Sequence, residues 1–473
     1  MAEWSNWAET VEYDHLEKKY KPETLEELKA SVREAARLNW RLSAVGPGHS
    51  WSNLGVPSYA RGAVICMTEM HPFHTVIEKR ASDAIVEIGG GLSIKDMNLW
   101  LDSQGLAVFN MGDANPQLVV GGISTETHGS GVPHPGESDS VGSFSEYVEG
   151  MSMVRADGES YTLTPDELPA GRVSIGKLGV IYSVRLRVRP RYFLEHDQHL
   201  VKFTEESEKP DIESLLRDKS VRHFEFWHYP HTDQAERIVR RITDSTEIKN
   251  PLRLDQEWFI KIGSSSFAKL GESDPTLIPG LLQKAVTDPL LRATFEVKGR
   301  QGPWYDILVG KSNLWRKVVK TYTMEYQLPY KNLWPAYNEY IESIEKVKRD
   351  KGVYASSPTQ IRFSQRSEKS LLTNLLYEPT VSFSVSFFRN HRGVHTWFPD
   401  LEKRFIKYGG RPHWGKMYYE VPKNDPTDQS PEEVQRRLNW AKFEEIRRRF
   451  DPTGIFAFAQ RPYVPDPEAF QNY

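Results

Sequence analysis

His49 lies in Val45-Gly46-Pro47-Gly48-His49-Ser50-Trp51-Ser52, directly after a short apolar run, Leu42 to Val45, patterned as a buried strand. A ring nitrogen held at a strand end, beside glycines that let backbone approach a flat ligand, is suited to work on a cofactor. The octapeptide alone fits better a loop histidine satisfied by nearby backbone, since short motifs carry false positives. A second segment, Gly121-Gly122-Ile123-Ser124-Thr125-Glu126-Thr127-His128-Gly129-Ser130-Gly131, consists mostly of Gly, Ser and Thr. Its N–H groups and hydroxyls can cradle a pyrophosphate without positive charge. Ile123, Thr125 and Thr127 favour an extended, ordered backbone there; the alternative is a long flexible turn. Neither this loop nor Gly89-Gly90-Gly91 carries the G-x-G-x-x-G fingerprint, so a nicotinamide dinucleotide is not indicated. The third segment, Gly410-Arg411-Pro412-His413-Trp414-Gly415-Lys416, gathers two cations, an imidazole and an indole on a proline-stiffened loop. That composition suits the wall of a polar substrate pocket, or a tryptophan that merely anchors a surface loop.

These segments need a frame. Thr24 with Glu27 forms a capping box for a helix over 22–39, with Leu25, Leu28, Val32 and Ala35 on one face. Leu42 to Val45, Ala63 to Met67 and Ala84 to Ile88 read as strands, and Ser93 opens a helix that Gly105 closes. Asp157-Gly158 is a hairpin turn between Val148 to Ala156 and Glu159 to Leu163. Leu178 to Val188 is a half-buried strand ended by Pro190, where a domain boundary is expected. Beyond it the texture changes to long aromatic strands, such as Phe224-Glu225-Phe226-Trp227 and Val381 to Phe387, with covering helices. A last helix, about 431–450, stops at Asp451-Pro452-Thr453-Gly454. The class is α+β.

The chain of 473 residues, 38% apolar, is long enough for two or three domains. Its 61 Lys and Arg face 64 Asp and Glu, a net charge of −3. No basic field exists to attract nucleic acid or anionic lipid. The single cysteine, Cys66, excludes an intramolecular disulfide framework and a thiolate zinc cluster. The first residues have neither a basic n-region nor an apolar h-region, and no stretch approaches eighteen apolar residues, so the cytosol is the expected location. His71 with His74, and His391 with His395, lack a third ligand in sequence, and no metal is expected. No G-x-S-x-G elbow supports a hydrolase. Arg447-Arg448-Arg449 points three ways on a helix, which fits a solvated face.

Taken in this order, from Asn6-Trp7 through G-H-S-W-S, T-H-G-S-G and R-P-H-W-G-K to Phe450-Asp451-Pro452-Thr453-Gly454-Ile455-Phe456, the segments resemble the aldonolactone and alditol oxidases of the vanillyl-alcohol-oxidase-like flavoproteins. The resemblance spans nearly the whole chain. It implies a two-domain FAD-binding fold: residues 1–190, completed by about 425–473, bind FAD, and an inserted cap domain built on an antiparallel sheet, 191–424, holds the substrate. By resemblance His49 is bonded covalently to the flavin 8α-methyl. Gly46, Pro47, Gly48, Ser50, Trp51, Ser52, Gln117, Gly121, Ser124, Thr125, Thr127, His128, Gly129, Ser130, Gly131 and Ile181 match stretches that surround FAD.

In the cap, Arg362 and Lys416 match residues facing the substrate, while Ser384, Ser386, Glu325 and His413 are candidate contacts for it. The implied reaction is oxidation of a polyol or sugar-lactone alcohol by hydride transfer to flavin N5, with O2 as acceptor and hydrogen peroxide as product. Arg362 and Lys416 would steady the alkoxide-like oxygen. Arg362 has a second reading, a structural salt bridge to Glu325. Gln360 stands where the family usually has glutamate, and Glu126 where a small residue is common; a carboxylate there needs a partner or an outward course. Two rivals follow: a dehydrogenase of the same fold with another electron acceptor, and a flavin-binding protein whose altered pocket has lost turnover.

Overall fold

The computed structural model describes residues 2–57, 61–132, 142–251, 266–267, 269–293, 295–309, 319–419 and 439–456. The first expected helix forms at Leu25–Arg37. Thr24 accepts the Glu27 N–H, and Glu27 reaches back to the N–H of Glu23, one residue before the cap. Leu28, Val32 and Ala35 are its buried face. Strands Lys18–Tyr20 and Arg41–Val45 both run parallel to Gly62–Cys66, whose five residues are all buried, as a strand covered on both faces requires. A second, antiparallel sheet contains His74–Lys79, Ala84–Gly89, Val148–Val154, Ser160–Thr162 and Val180–Pro190. Gly158, at φ 76°, makes the expected hairpin turn. Ser93 caps the helix Ile94–Ser103 through the Asp96 N–H, and Gly105 follows it at φ 72°.

Sheet membership changes between Pro190 and the next strand, Phe193–Lys202, which belongs to an eight-stranded antiparallel sheet. Three of its central strands are Val221–His228, Thr359–Ser364 and Thr380–Phe388. Alternation decides what each face does. Phe224, Phe226, Phe363, Phe383 and Phe387 are fully buried on the face covered by the helices Leu333–Lys351 and Val394–Lys407. Phe224 stacks on Phe363 at 4.4 Å between centroids. Polar residues of opposite parity, among them Gln360, Arg362 and Ser384, line a cavity shared with N-terminal residues.

The chain then returns. Of the expected last helix, Trp440–Phe450 is helical, and 431–438 lie outside the described residues. Ala156 donates its N–H to Phe450, and Leu42 donates to Ile455 at 2.7 Å, so this return seals the N-terminal strands. Asp451 accepts the N–H groups of Ile455 and Phe456, both at 2.8 Å, which fixes the turn after the helix.

The glycine-rich loop departs from expectation. Val119–Ser124 is a short helix, not extended backbone. Val119 and Ile123, four apart, are both fully buried, and burying that pair overrides their β-branched preference. The N–H groups of Thr125, Glu126 and Thr127 then return to Gly121, Ile123 and Gly122, so these three are taken by the turn rather than offered to a pyrophosphate.

Candidate active site

A cavity of about 700 Å³ lies between the N-terminal sheets and the polar face of the large sheet. One wall carries Gly46, Pro47, Gly48, His49, Ser50, Trp51 and Ser52. Gly48 is at φ 72°, and a Cβ there would come within 3.0 Å of the Asn6 and Trp7 backbone. Trp7 donates its N–H to Gly48 at 2.8 Å, and the Trp7 ring stands 5.2 Å from the His49 ring. Buried Asn6 supports the segment from behind, donating to the Ser50 carbonyl and accepting from Thr10 and Val11. Gln117, Gly121, Ser124, Thr125, Thr127, His128 and Ile181 complete this side.

The opposite wall carries Gln360, Arg362, Ser384, Ser386, His413 and Lys416. Strand register puts Gln360 beside Ser384, and Ser384 beside Glu325, on one face. The two walls are tied directly: Trp51 donates its N–H to the Gly415 carbonyl at 2.9 Å, and Gly415 packs against Thr125. Lys416 holds its ammonium 4.0 Å from the centre of the Trp51 ring. Trp414 is buried with its Nε1 donating to Leu372 at 2.7 Å, so it anchors the loop while His413 and Lys416 reach the cavity.

Buried electrostatics organise the cap wall. Arg362 gives Nη2 to both oxygens of Glu325 at 2.8 Å and Nη1 to the His128 carbonyl at 3.0 Å. His128 Nε2 meets Glu325 Oε1 at 2.5 Å. Glu325 is fully buried; burial alone would raise its carboxyl, but Arg362 and His128 hold it well below the carboxylate range. Arg362 thus forms the ion pair with Glu325. Through His128 that pair is joined to the glycine-rich N-terminal segment. His413 is pushed down to about 3 by burial and is neutral, and its Nδ1 accepts the Gly415 N–H. His128, Glu325 and His413 place ligand-type atoms within 4.8 Å of one another. Glu325 is already neutralised by a guanidinium and bonded to His128, so a divalent ion would displace both partners.

The second departure is also resolved. Glu126 is 2% exposed and accepts from the Thr373 hydroxyl and the Asn374 N–H, the latter at 2.7 Å. It turns away from the cavity at φ 61° and docks a cap segment instead. Gln360 donates to Glu225 at 2.6 Å, and Glu225 pairs with Arg240 at 2.8 Å. Asp113, from the N-terminal side of the cavity, is a further carboxylate and faces Gln360 at 3.4 Å.

Not every expected residue reaches the cavity. Gly129, Ser130 and Gly131 run along the strand Val221–His228, bridging Gly131 to His223 and Ser130 to Phe224. A Cβ on Gly129 would fall 2.2 Å from the Met111 carbonyl, so this glycine serves a close backbone crossing. Glu325 acts through Arg362 and His128. Asp113, Glu225, Trp227 and Arg240 were not anticipated; the parity of Glu225 and Trp227 against Phe224 and Phe226 was the available signal.

The residues fit a bound FAD. Gln117 Oε1 and Ser52 Oγ are buried at this wall with no hydrogen-bond partner among the described residues, as expected of groups that face a polar ligand. A Cβ on Gly121 or Gly176 meets no atom within 4 Å, so both glycines open onto space along the cavity. A family model described as an FAD binding domain matches residues 19–164, and one described as D-arabinono-1,4-lactone oxidase matches 184–462. The chain belongs to the D-arabinono-1,4-lactone oxidase family.

As a member it is an FAD-dependent oxidoreductase of sugar-derived alcohols. It is 28% identical to an L-gulono-1,4-lactone dehydrogenase of Mycobacterium tuberculosis, with 96% of each chain covered. An alditol oxidase of a Streptomyces species is 25% identical, again over 96% of each chain. Among solved structures, a solvent-stable cholesterol oxidase superposes with a TM-score of 0.77 at 16% identity, covering 96% of this chain and 95% of that one. This likeness shows the vanillyl-alcohol-oxidase-like fold. Among the described residues no helix is long and apolar enough to cross a membrane.

Proposed function

We propose that the protein oxidises a carbinol of an aldonolactone or polyol, with O2 as electron acceptor and hydrogen peroxide as product, and that its FAD is bonded through His49. The single observation that carries this is the facing of two walls: His49, Gln117 and Thr125 on one, Arg362, His413 and Lys416 on the other, around one cavity. When bound, FAD supplies the hydride acceptor.

The chain's own residues do the rest. As the carbinol C–H bond breaks with its electron pair, which passes with its hydrogen to the acceptor, and the hydroxyl proton passes to solvent, the oxygen gains negative character. Lys416 places a cation at that wall, and Arg362, held rigid by Glu325 and the His128 carbonyl, is pre-oriented beside it. Arg362 cannot take the proton, since guanidinium stays charged. Ser384 and Ser386 offer hydroxyls to the substrate's own. Around Gln360, the cations Arg362, Arg240 and Lys416 are matched by Glu325, Glu225 and Asp113, a balance suited to a neutral, hydroxylated substrate.

An anaerobic screen of polyols and aldonolactones tests the proposal: at least one should bleach the flavin band, and failure of all of them refutes it. The dehydrogenase named among the relatives favours a second acceptor class. Stopped-flow reoxidation in air separates the two, since an oxidase regains its colour rapidly. Attachment is checked by denaturing electrophoresis, where the wild-type band should fluoresce and His49→Ala should not. The division at 190 and 191, with the return from about 425, rests on the change of sheet and predicts a protease-resistant cap fragment. A cytosolic site, supported by the lone buried Cys66, is checked by fractionation.

A further inference from the structure

The polar face of the large sheet extends well beyond the residues assigned to the reacting carbon. Register aligns Glu325, Ser384, Gln360, Trp227 and Glu236 in one row across five neighbouring strands. Neighbouring strands are about 4.8 Å apart, so Trp227 stands ~14 Å from the strand of Glu325 and Glu236 ~19 Å from it. A six-carbon chain, with C–C bonds of about 1.5 Å, spans only ~6 to 7 Å. The Arg362 backbone is on the strand next to that of Trp227, but its guanidinium lies against Glu325 at 2.8 Å, so a single sugar that reacts at that end and beside Lys416 stops short of the half-buried Trp227 indole, which lines the same continuous cavity.

We propose that Trp227, with Gln360, Glu225 and Arg240, forms a distal subsite for a second, neutral sugar ring, so that the enzyme accepts glycosylated polyols or disaccharide lactones. The subsite rests on the oxidation proposed above and names its substrate class. An indole face that lines a cavity is a platform for the C–H face of a pyranose, and the planar amide, carboxylate and guanidinium beside it suit hydroxyl pairs. Charge selects against an ionic ligand: Arg240 is committed to Glu225 at 2.8 Å, and Arg300, further along the face, to Asp306 at 2.8 Å. An anion or cation would have to break one of these pairs, whereas a neutral ring needs only the lone pairs and N–H groups that remain.

The test uses the holoenzyme under anaerobic conditions. Calorimetric titration compares maltitol with sorbitol, and cellobiono-1,5-lactone with glucono-1,5-lactone; kcat/KM is measured for the same four. In at least one pair the disaccharide should bind about tenfold more tightly than its monosaccharide. Trp227→Ala should remove that margin, weakening the disaccharide far more than its partner, and Trp227→Phe should keep most of it. Equal affinity within both pairs, absence of disaccharide binding, or an Ala variant of wild-type Tm that weakens both members equally overturns the subsite. Bleaching by monosaccharides without a disaccharide margin refutes the subsite alone. Disaccharide binding dependent on Trp227 without any bleaching refutes the oxidation and leaves the subsite standing.

Discussion

Glu126 should couple folding to pH, and the size of the effect can be worked out. Burial pushes its carboxyl from an unfolded value near 4.5 up to about 8, against the donated bonds from Thr373 and Asn374. At pH 6 the folded chain holds a proton there that the unfolded chain has released. Stability from this group is therefore fully present below about 4.5 and is lost as pH rises through about 8. At about 1.4 kcal/mol per tenfold, the whole window is worth ~5 kcal/mol. Glu126→Gln has the shape of the protonated carboxyl: its oxygen accepts the Asn374 N–H and its amide donates to the Thr373 hydroxyl. The variant should match wild type at pH 4.5 to 5 and exceed it increasingly toward pH 8. With an unfolding entropy of about 2.1 cal/mol/K per residue, a chain of 473 residues gains ~1 °C per kcal/mol, hence ~5 °C at pH 8. Thermal unfolding of the holoprotein at pH 5, 6, 7 and 8 measures this. Parallel Tm curves for the two proteins, or a variant less stable throughout, would refute a protonated Glu126.

Lys416→Met should lower kcat by roughly 10² to 10³ with little change in Tm, because it deletes a charge at the wall of the developing oxyanion; steady-state kinetics with thermal unfolding reads both. Glu325→Gln leaves the Arg362 guanidinium buried beside a neutral amide and should destabilise the fold by about 3 to 5 kcal/mol while also reducing kcat, whereas an unchanged Tm would mean the pair is not formed. Gln360→Glu puts a third carboxylate beside Glu225 and Asp113 and should alter substrate preference; identical relative kcat/KM across lactones and polyols counts against it. Gly48→Ala must accommodate a Cβ 3.0 Å from the Asn6 and Trp7 backbone at φ 72°, and a lower flavin content per chain is the expected result.

Local chemistry carried most of the architecture into view. The Thr24 and Ser93 caps, the Asp157-Gly158 turn and the period-two strands each depend on a few adjacent residues, and all stand where spacing puts them. The short helix Val119–Ser124 escaped because propensity and burial oppose each other there. The outcome depends on the distant residues that bury this turn, among them Ile94 and Phe144, which close over Gly122.

The cap wall shows the deeper reason that types alone mislead. Arg362 reads as a catalytic cation or as half of a salt bridge, and the geometry makes these two roles compatible rather than exclusive. Its Nη atoms are spent on Glu325 and His128, which turns a long, entropically costly side chain into a fixed one. In the proposed reaction, a cation so compensated would stabilise a developing oxyanion less by net charge than by preorganisation, which would leave the larger electrostatic share to Lys416. Which strand supplies the compensating carboxylate is a matter of register between segments 37 residues apart, and no local pattern encodes that. The same holds for Gln360: its neutral amide looks like a lost charge in one dimension, yet the neighbouring strand brings Glu225 to 2.6 Å, so the wall retains an acidic group one strand away from the position where sequence would seek it.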